Sequence, residues 1–393
     1  MLEIVNLRQG AVLNHNHGKE TAKGLKIAVE GISDSGTPVK VNGIPAVMDG
    51  RRFSTGIELA KKVNRITAST MTSYGEFSQS IDVVWDKKSF MRYNYYIDDH
   101  IFLFTDLAKQ RPKRAFDHFY LAALKNIHKK TGFKVTLNCF YRNDHHAFLL
   151  KDMPDIYRSE FVANSDWLKL SFHSYSEFPD RPYLESSAEE FGHDYDLVKK
   201  EIVRFAGEET FIPPVVVHWA NVHPAVAQEY IRRGSKCYSS AFRPRVMGGP
   251  SLAERQKGGN RKDIKKRSAT KAESNDGLAL HYGVVEDMAY TAIHRVLYDP
   301  LLGIFFFRGH CGCNLMPIPE IIKANRLAVR NAAKVGVEVF CLGSHEQYSF
   351  PYYPNYIPNH LKRLEIAAQG MADTGCKPVF FNDGLLGNMA REK

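Results

Sequence analysis

From residue 1 to about 88, apolar and polar positions alternate in short runs separated by tight-turn dipeptides. The stretch "VKVNGIPAVMDGRRFSTGIEL" holds Asn42-Gly43 and Asp49-Gly50 between alternating segments, the pattern of two β-hairpins. "VNRITAST" and "QSIDVVW" read as further strands, and strands at this spacing predict a small all-β sandwich. After Trp85 the period changes. "AFDHFYLAALKNIHKKTG" places Phe116, Phe119, Ala123, Leu124 and Ile127 on one helical face and stops at Gly132. Apolar strands then alternate with amphipathic helices: "FKVTLNCF", "DWLKLSFHS", a helix opened by the Ser187–Glu190 capping box, "PPVVVHW", and a helix from Pro224 to Gly234. The C-terminal third repeats the rhythm as "IPEIIKANRLAVRNAAKVG", "VEVFCLGSH", "PNHLKRLEIAAQGMADTG" and "KPVFFND". Near-continuous apolar strands predict parallel pairing with helices on the outside. About 300 residues of such units suit a closed β/α barrel better than an open sheet. The expected organisation is therefore α/β: a sandwich over 1–88 and a barrel over 89–393.

Composition narrows the class. A chain of 393 residues with 44% hydrophobic content can bury a large core. The net charge of +10 is local: Arg255–Lys271, "RQKGGNRKDIKKRSATK", carries eight basic residues and one acid, and removing it leaves +3. That stretch predicts a solvated basic insertion near 252–275, not a nucleic-acid surface. No run approaches the roughly 20 apolar residues of a membrane span. The start lacks a secretory pattern, so the chain is expected to be cytoplasmic as written, or secreted if a signal was removed. Six cysteines in a chain this long predict ordinary thiols; the close pair Cys311 and Cys313 is a weak zinc signal on its own. Oligomeric state is not legible.

The chemistry gathers at the predicted strand ends, where a β/α barrel carries its site. "YNYYIDDHIF" ends on Asp98 and Asp99; "FKVTLNCFYR" on Tyr141 and Arg142; "WLKLSFHS" on His173, with Glu177 four residues on. "PVVVHWAN" ends on His218, Trp219 and Asn221, "VEVFCLGSHEQY" on His345 and Glu346, and "KPVFFND" on Asn382 and Asp383. Asp, His and Glu together suit a divalent cation, zinc first. Such a cation makes two adjacent carboxylates tolerable: Asp99 binds it, and Asp98 stays beside it as general base. His173 and Glu177 can point the same way if their segment enters a helical turn. Trp219, Tyr141, Tyr175, Tyr348, Tyr352 and Tyr353 offer flat faces for stacking on sugar rings, with Arg142 and Asn221 beside them.

Several of these motifs resemble known ones. "VKVNG", "DGRRF" and "NRITA" resemble the immunoglobulin-like modules attached to bacterial carbohydrate-active enzymes. "YIDDH" resembles the T-F-D-D-G motif of the polysaccharide deacetylase (NodB-like) family, in which the first Asp is the base and the second binds metal. "FHSYSEFPD" resembles the family's H-[ST]-x-x-H, with Glu177 in the second His position. "VVVHWANVHP" falls where an R-x-P-Y-type motif would lie and lacks its arginine, with His218 and Trp219 there instead. "CLGSHEQY" lies where the family places its histidine general acid, which points to His345.

The resemblance spans roughly Arg92 to Asp383 and implies a distorted (β/α)7 barrel. It implies a metal-dependent hydrolase removing acyl groups, N-acetyl first, from a carbohydrate. Asp98 and His345 would be catalytic. Asp99 and His173 would bind metal, joined by Glu177 or His218. A non-catalytic carbohydrate-binding protein on a degenerate barrel, and a metal-dependent amide or phosphoester hydrolase, are the alternatives.

Overall fold

The computed structural model of this chain describes residues 1–34, 37–184, 186–220, 222–239 and 285–391. The basic insertion expected near 252–275 lies outside the described residues.

The first 85 residues form two five-stranded sheets. One holds β1 (Leu2–Ile4), β3 (Lys19–Glu20), β4 (Leu25–Ser33), β7 (Val47–Asp49) and β8 (Arg52–Leu59). The other holds β2 (Val12–Leu13), β5 (Val39–Val41), β6 (Ile44–Pro45), β9 (Val63–Thr72) and β10 (Gly75–Trp85). All pairs are antiparallel except β2 with β10. The two dipeptides turn the chain as expected. Val41 pairs with Ile44 across Asn42 (φ 48°) and Gly43 (φ 80°), the positive-φ pair a two-residue hairpin demands. Asp49 pairs with Arg52 around Gly50 (φ 56°). Strict alternation along β4 buries Leu25, Ile27 and Val29 against Phe53, Ile66, Ile81 and Trp85, so both sheets share one core.

From Arg92 onward the architecture is mixed α/β. The central strand β11 (Arg92–His100) is buried at all nine positions. On one side it pairs in parallel with β12 (Val135–Phe140), which pairs with β13 (Leu168–Ser174). On the other it pairs with β18 (Val339–His345), flanked by β17 (Cys311–Gly312). β19 (Lys377–Pro378) adds to the start of β11. A second sheet runs β14 (Cys237–Ser239), β16 (Ile304–Phe307), β15 (Val296–Asp299). Among the described residues these ladders form a six-stranded and a three-stranded sheet and do not close into one ring.

Two expected strands are shorter than the pattern suggests. "PPVVVHW" is buried at Val215, Val216 and Val217 but carries no strand, because Pro213 and Pro214 lack N–H donors at its start. "KPVFFND" pairs only at Lys377 and Pro378. The expected face of the first long helix is also rotated. A 3-10 turn at Ala115–Asp117 precedes the helix proper, Phe119–Thr131, and resets its phase. Tyr120, Leu121, Leu124 and Ile127 are buried, while Phe119 is 43% exposed. The Ser187–Glu190 capping box is present: Ser187 Oγ accepts from Glu190 N at 3.1 Å, and Glu190 Oε2 from Ser187 N at 2.7 Å. Among the described residues no helix is long and apolar enough to cross a membrane.

Candidate metal centre

A regular strand would send Asp98 and Asp99 to opposite faces of the sheet. Here the register with β12 shifts between Ile97 and His100, and Asp99 takes φ 67°, a left-handed conformation that L residues rarely adopt. The kink lets both carboxylates reach one imidazole. His173, at the end of β13, places Nε2 3.1 Å from Asp99 Oδ1 and Nδ1 3.7 Å from Asp98 Oδ1.

His218 completes the cluster from a different segment. It opens a short 3-10 turn, His218–Ala220, in which Trp219 (φ 63°) and Ala220 (φ 51°) are also left-handed. Strain at two consecutive non-glycine residues is the kind stored where a side chain must be aimed. Its Nδ1 lies 3.3 Å from Asp99 Oδ1 and 3.4 Å from His173 Nε2. Its Nε2 donates to the main-chain carbonyl of Glu177 at 2.9 Å, which leaves Nδ1 with its lone pair facing inward.

Asp99, His173 and His218 are all buried and present ligand atoms within 4.8 Å of one another. The triangle Asp99 Oδ1, His173 Nε2, His218 Nδ1 has edges of 3.1, 3.3 and 3.4 Å. Tetrahedral ligands at about 2.0–2.1 Å from a cation stand about 3.3–3.4 Å apart, so the spacing fits one ion. Asp99 Oδ1 is buried without a hydrogen-bond partner, a costly state that a cation would relieve. Two imidazole nitrogens and one carboxylate oxygen suit zinc, cobalt or nickel better than calcium or magnesium.

Around this triangle the groups diverge electrically. Burial pushes the Asp98 carboxyl well above its ordinary range; Asp99 adds to this, and the amide of Asn138, donating at 2.7 Å, opposes it. Burial would also raise Asp99, but His345, His173 and His218 together hold it well below the usual carboxylate range. Burial lowers His173 to about 4 despite Asp99, which keeps its ring neutral and ligand-competent. His345 stands on the open side with 39% of its side chain exposed and Nε2 4.0 Å from Asp99 Oδ2. Desolvation holds its pKa below the histidine norm, against the pull of Asp99. Its Nδ1 meets Asn314 Oδ1 at 3.1 Å, so Nε2 faces the site. Gln347 donates to Asp99 Oδ2 at 2.8 Å.

The other expected residues are distributed around this centre. The Glu177 carboxylate is not among the converging ligand atoms; it lies 2.5 Å from His145 Nε2. Trp219 follows His218, and the Arg181 guanidinium sits over its ring at 5.2 Å. Tyr141 packs on Tyr175 at 5.4 Å, and Arg142 lies over Tyr175 while pairing with Asp144 at 2.8 Å. Tyr348 is half-buried, 6.3 Å from His345 ring to ring. Asn221 lies outside the described residues.

Three supporting residues were not singled out from the sequence: Asn138, Asn314 and Gln347. Asn138 carried a signal, as the lone amide inside the apolar run "FKVTLNCF". Asn314 directly follows the Cys311–Cys313 pair. Both of those thiols are free and buried, 3.9 Å apart, with Tyr95 Oη 2.9 Å from Cys313 Sγ.

No family model matches the chain, and no curated protein matches it. Among solved structures it is similar to a Streptococcus mutans CE4 esterase, with a TM-score of 0.31 and 8% identity over 73% of this chain and 84% of that one. An overlap that low decides neither fold nor activity.

Proposed function

We propose that this chain is a metal-dependent hydrolase that removes acyl groups, N-acetyl first, from a carbohydrate. The observation that carries the reading is the buried Asp99–His173–His218 triangle with a second carboxylate, Asp98, on one flank and a half-open histidine, His345, on the other. In this reading residues 1–88 are an immunoglobulin-like module and 89–393 a deacetylase-like barrel with the basic insertion in it.

Asp99, His173 and His218 would hold the cation, with zinc the first candidate. A divalent ion there supplies Lewis acidity toward an acyl oxygen and lowers the pKa of water. Asp98 takes the proton from the attacking water, and its burial beside Asp99 makes it a stronger base than an exposed aspartate. Asn138 fixes which oxygen of Asp98 is free to do so. His345 in its protonated form delivers a proton from Nε2 to the departing amine or alkoxide, with Asn314 holding Nδ1–H away from the site. Each proton transfer is worth about 10²–10⁴-fold. The carbohydrate assignment rests on the motif resemblance, with Trp219 and Tyr348 as the aromatic side chains next to His218 and His345.

The test is metal content with turnover of acetylated oligosaccharides. Asp99→Asn is the informative first variant, because asparagine tolerates the left-handed conformation and only the ligand charge is lost. Asp99→Asn, His173→Gln and His218→Gln should each lose stoichiometric metal. A chain that takes up no zinc, cobalt or nickel defeats the proposal.

A further inference from the structure

Glu177 stands where spacing from His173 suggests a metal ligand, yet its carboxylate faces elsewhere. The loops after β12 and β13 are zipped together beside the centre. Tyr141 N and Arg142 N both donate to Tyr175 O, at 3.0 and 2.8 Å. Arg142 Nη2 donates to Ser176 Oγ at 3.2 Å, and Phe178 N to Asp144 Oδ2 at 3.0 Å. His145 Nε2 meets Glu177 Oε2 at 2.5 Å, the shortest of these links and the one set on the residue whose main-chain carbonyl receives His218 Nε2–H.

The His145 side is itself anchored. Its backbone N–H donates to Asn143 Oδ1 at 2.9 Å, and Asn143 Nδ2 donates to buried Thr105 Oγ1 at 2.9 Å. Its ring packs edge-on against Phe102 at 5.4 Å and Tyr353 at 5.8 Å. A rigid chain of contacts thus runs from helix Phe102–Gln110 through His145 to Glu177 and ends on the outer nitrogen of a cluster imidazole.

We propose that His145 and Glu177 are a positioning pair that aims His218 at the cation site through the Glu177 carbonyl. The proposal rests on the metal reading above and adds that Glu177 acts on His218 rather than on the ion. A ligating histidine whose outer N–H loses its acceptor can rotate or change tautomer, and such losses typically cost 10–100-fold in metal affinity. The two side chains are only 29% and 20% exposed but lie at the rim, so they can be replaced without opening the core.

The experiment is a cobalt titration of the full chain against a competing chelator, following the d–d absorption bands and the melting temperature of the metal-free protein. Wild type is compared with His145→Ala, Glu177→Gln and His218→Gln. His145→Ala should weaken cobalt about 10–100-fold and alter the band envelope, and Glu177→Gln, which keeps one acceptor oxygen for His145, should do so less, with metal-free melting temperatures close to wild type. A merely structural staple would move the melting temperature and leave the bands unchanged, and that result overturns the proposal. If Glu177 were a ligand, His145→Ala would free it and tighten cobalt, while Glu177→Gln would match His218→Gln; that pattern also overturns it. Wild type that binds cobalt with unaltered variants removes only this inference, whereas wild type that binds none removes the metal reading and this inference with it.

Discussion

Asn138 Nδ2 donates to Asp98 Oδ1 at 2.7 Å, and both groups are buried. This partner of Asp98 is a neutral amide. An amide favours the ionised carboxylate less than a guanidinium does, which leaves burial and the neighbouring Asp99 to keep Asp98 well above its ordinary range. Asp98 must be ionised to accept a proton, so activity should rise with pH as it deprotonates. Asn138→Ala removes a bond to the charged form, so the pKa rises further and the acid limb of kcat/KM moves to higher pH, by about one unit. An acid limb that stays in place would remove Asp98 from the role of base.

Asn314 offers the matching test on the acid side. Its Oδ1 accepts from His345 Nδ1 at 3.1 Å, a neutral partner for an imidazole whose pKa lies below the norm. Asn314→Asp puts a carboxylate there, stabilises the imidazolium and raises the His345 pKa. The alkaline limb of the rate profile, set by loss of the acid's proton, should therefore move to higher pH. Asn314→Ala should lower kcat about 10–100-fold with cobalt affinity unchanged, because His345 lies outside the ligand triangle. A kcat that tolerates Asn314→Ala would mean that another group supplies the proton.

How much of this was written in the sequence differs from residue to residue. The hairpins at Asn42-Gly43 and Asp49-Gly50 were legible because positive φ restricts residue type locally. Asp99 and His173 were legible because both lie near the ends of mostly apolar strands that the sheet must align. His218 was only half legible. Its segment is not a strand, and a strained turn, not strand geometry, carries its ring to Asp99. The spacing from His173 to Glu177 assumed a helical turn after β13, whereas that loop is a run of bends tied to residues 141–145, which carry no periodic signal. Asn138 had one local mark, a lone amide in an apolar run; nothing local marks Asn314 or Gln347 as amides that will meet His345 and Asp99 from distant segments.

Glu346 ties the site to the fold. Its buried carboxylate accepts from the backbone N–H groups of Ile101, Phe102 and Leu103 at 2.8, 2.9 and 2.7 Å. These are the first donors of helix Phe102–Gln110, whose own N-cap residue, Ile101, offers no side-chain acceptor. Glu346 N also donates to Asp98 O at 2.9 Å, so the ends of β11 and β18 and the helix meet at one residue. Glu346→Ala should cost on the order of 3 kcal/mol, since it leaves buried donors unsatisfied. Glu346→Gln keeps one acceptor oxygen and should cost less. Chemical denaturation of the three proteins checks the order; equal stability would show that water or a neighbour replaces the carboxylate.

His360 makes a pH prediction for stability away from the centre. Its Nε2 meets Ser344 Oγ at 2.8 Å and its Nδ1 meets Ser349 Oγ at 2.6 Å, with 1% of the residue exposed. Burial, with smaller contributions from His345 and Arg363, lowers its pKa to about 3. In the unfolded chain an ordinary histidine titrates near about 6.5. Between these values the unfolded state binds the extra proton, so stability rises with pH there. The contribution is complete above about pH 6.5 and is lost as the pH falls toward about 3, with a slope of at most about 1.4 kcal/mol per pH unit. Melting temperatures measured from pH 7.5 to 4.5 should fall steadily in the wild type. His360→Gln, which can still bond both serines, should make that dependence shallower between pH 6.5 and 4.5, leaving the share of His100, His173 and His310, which burial also holds below the histidine norm. A parallel curve, merely displaced, would mean that His360 does not titrate between the two states.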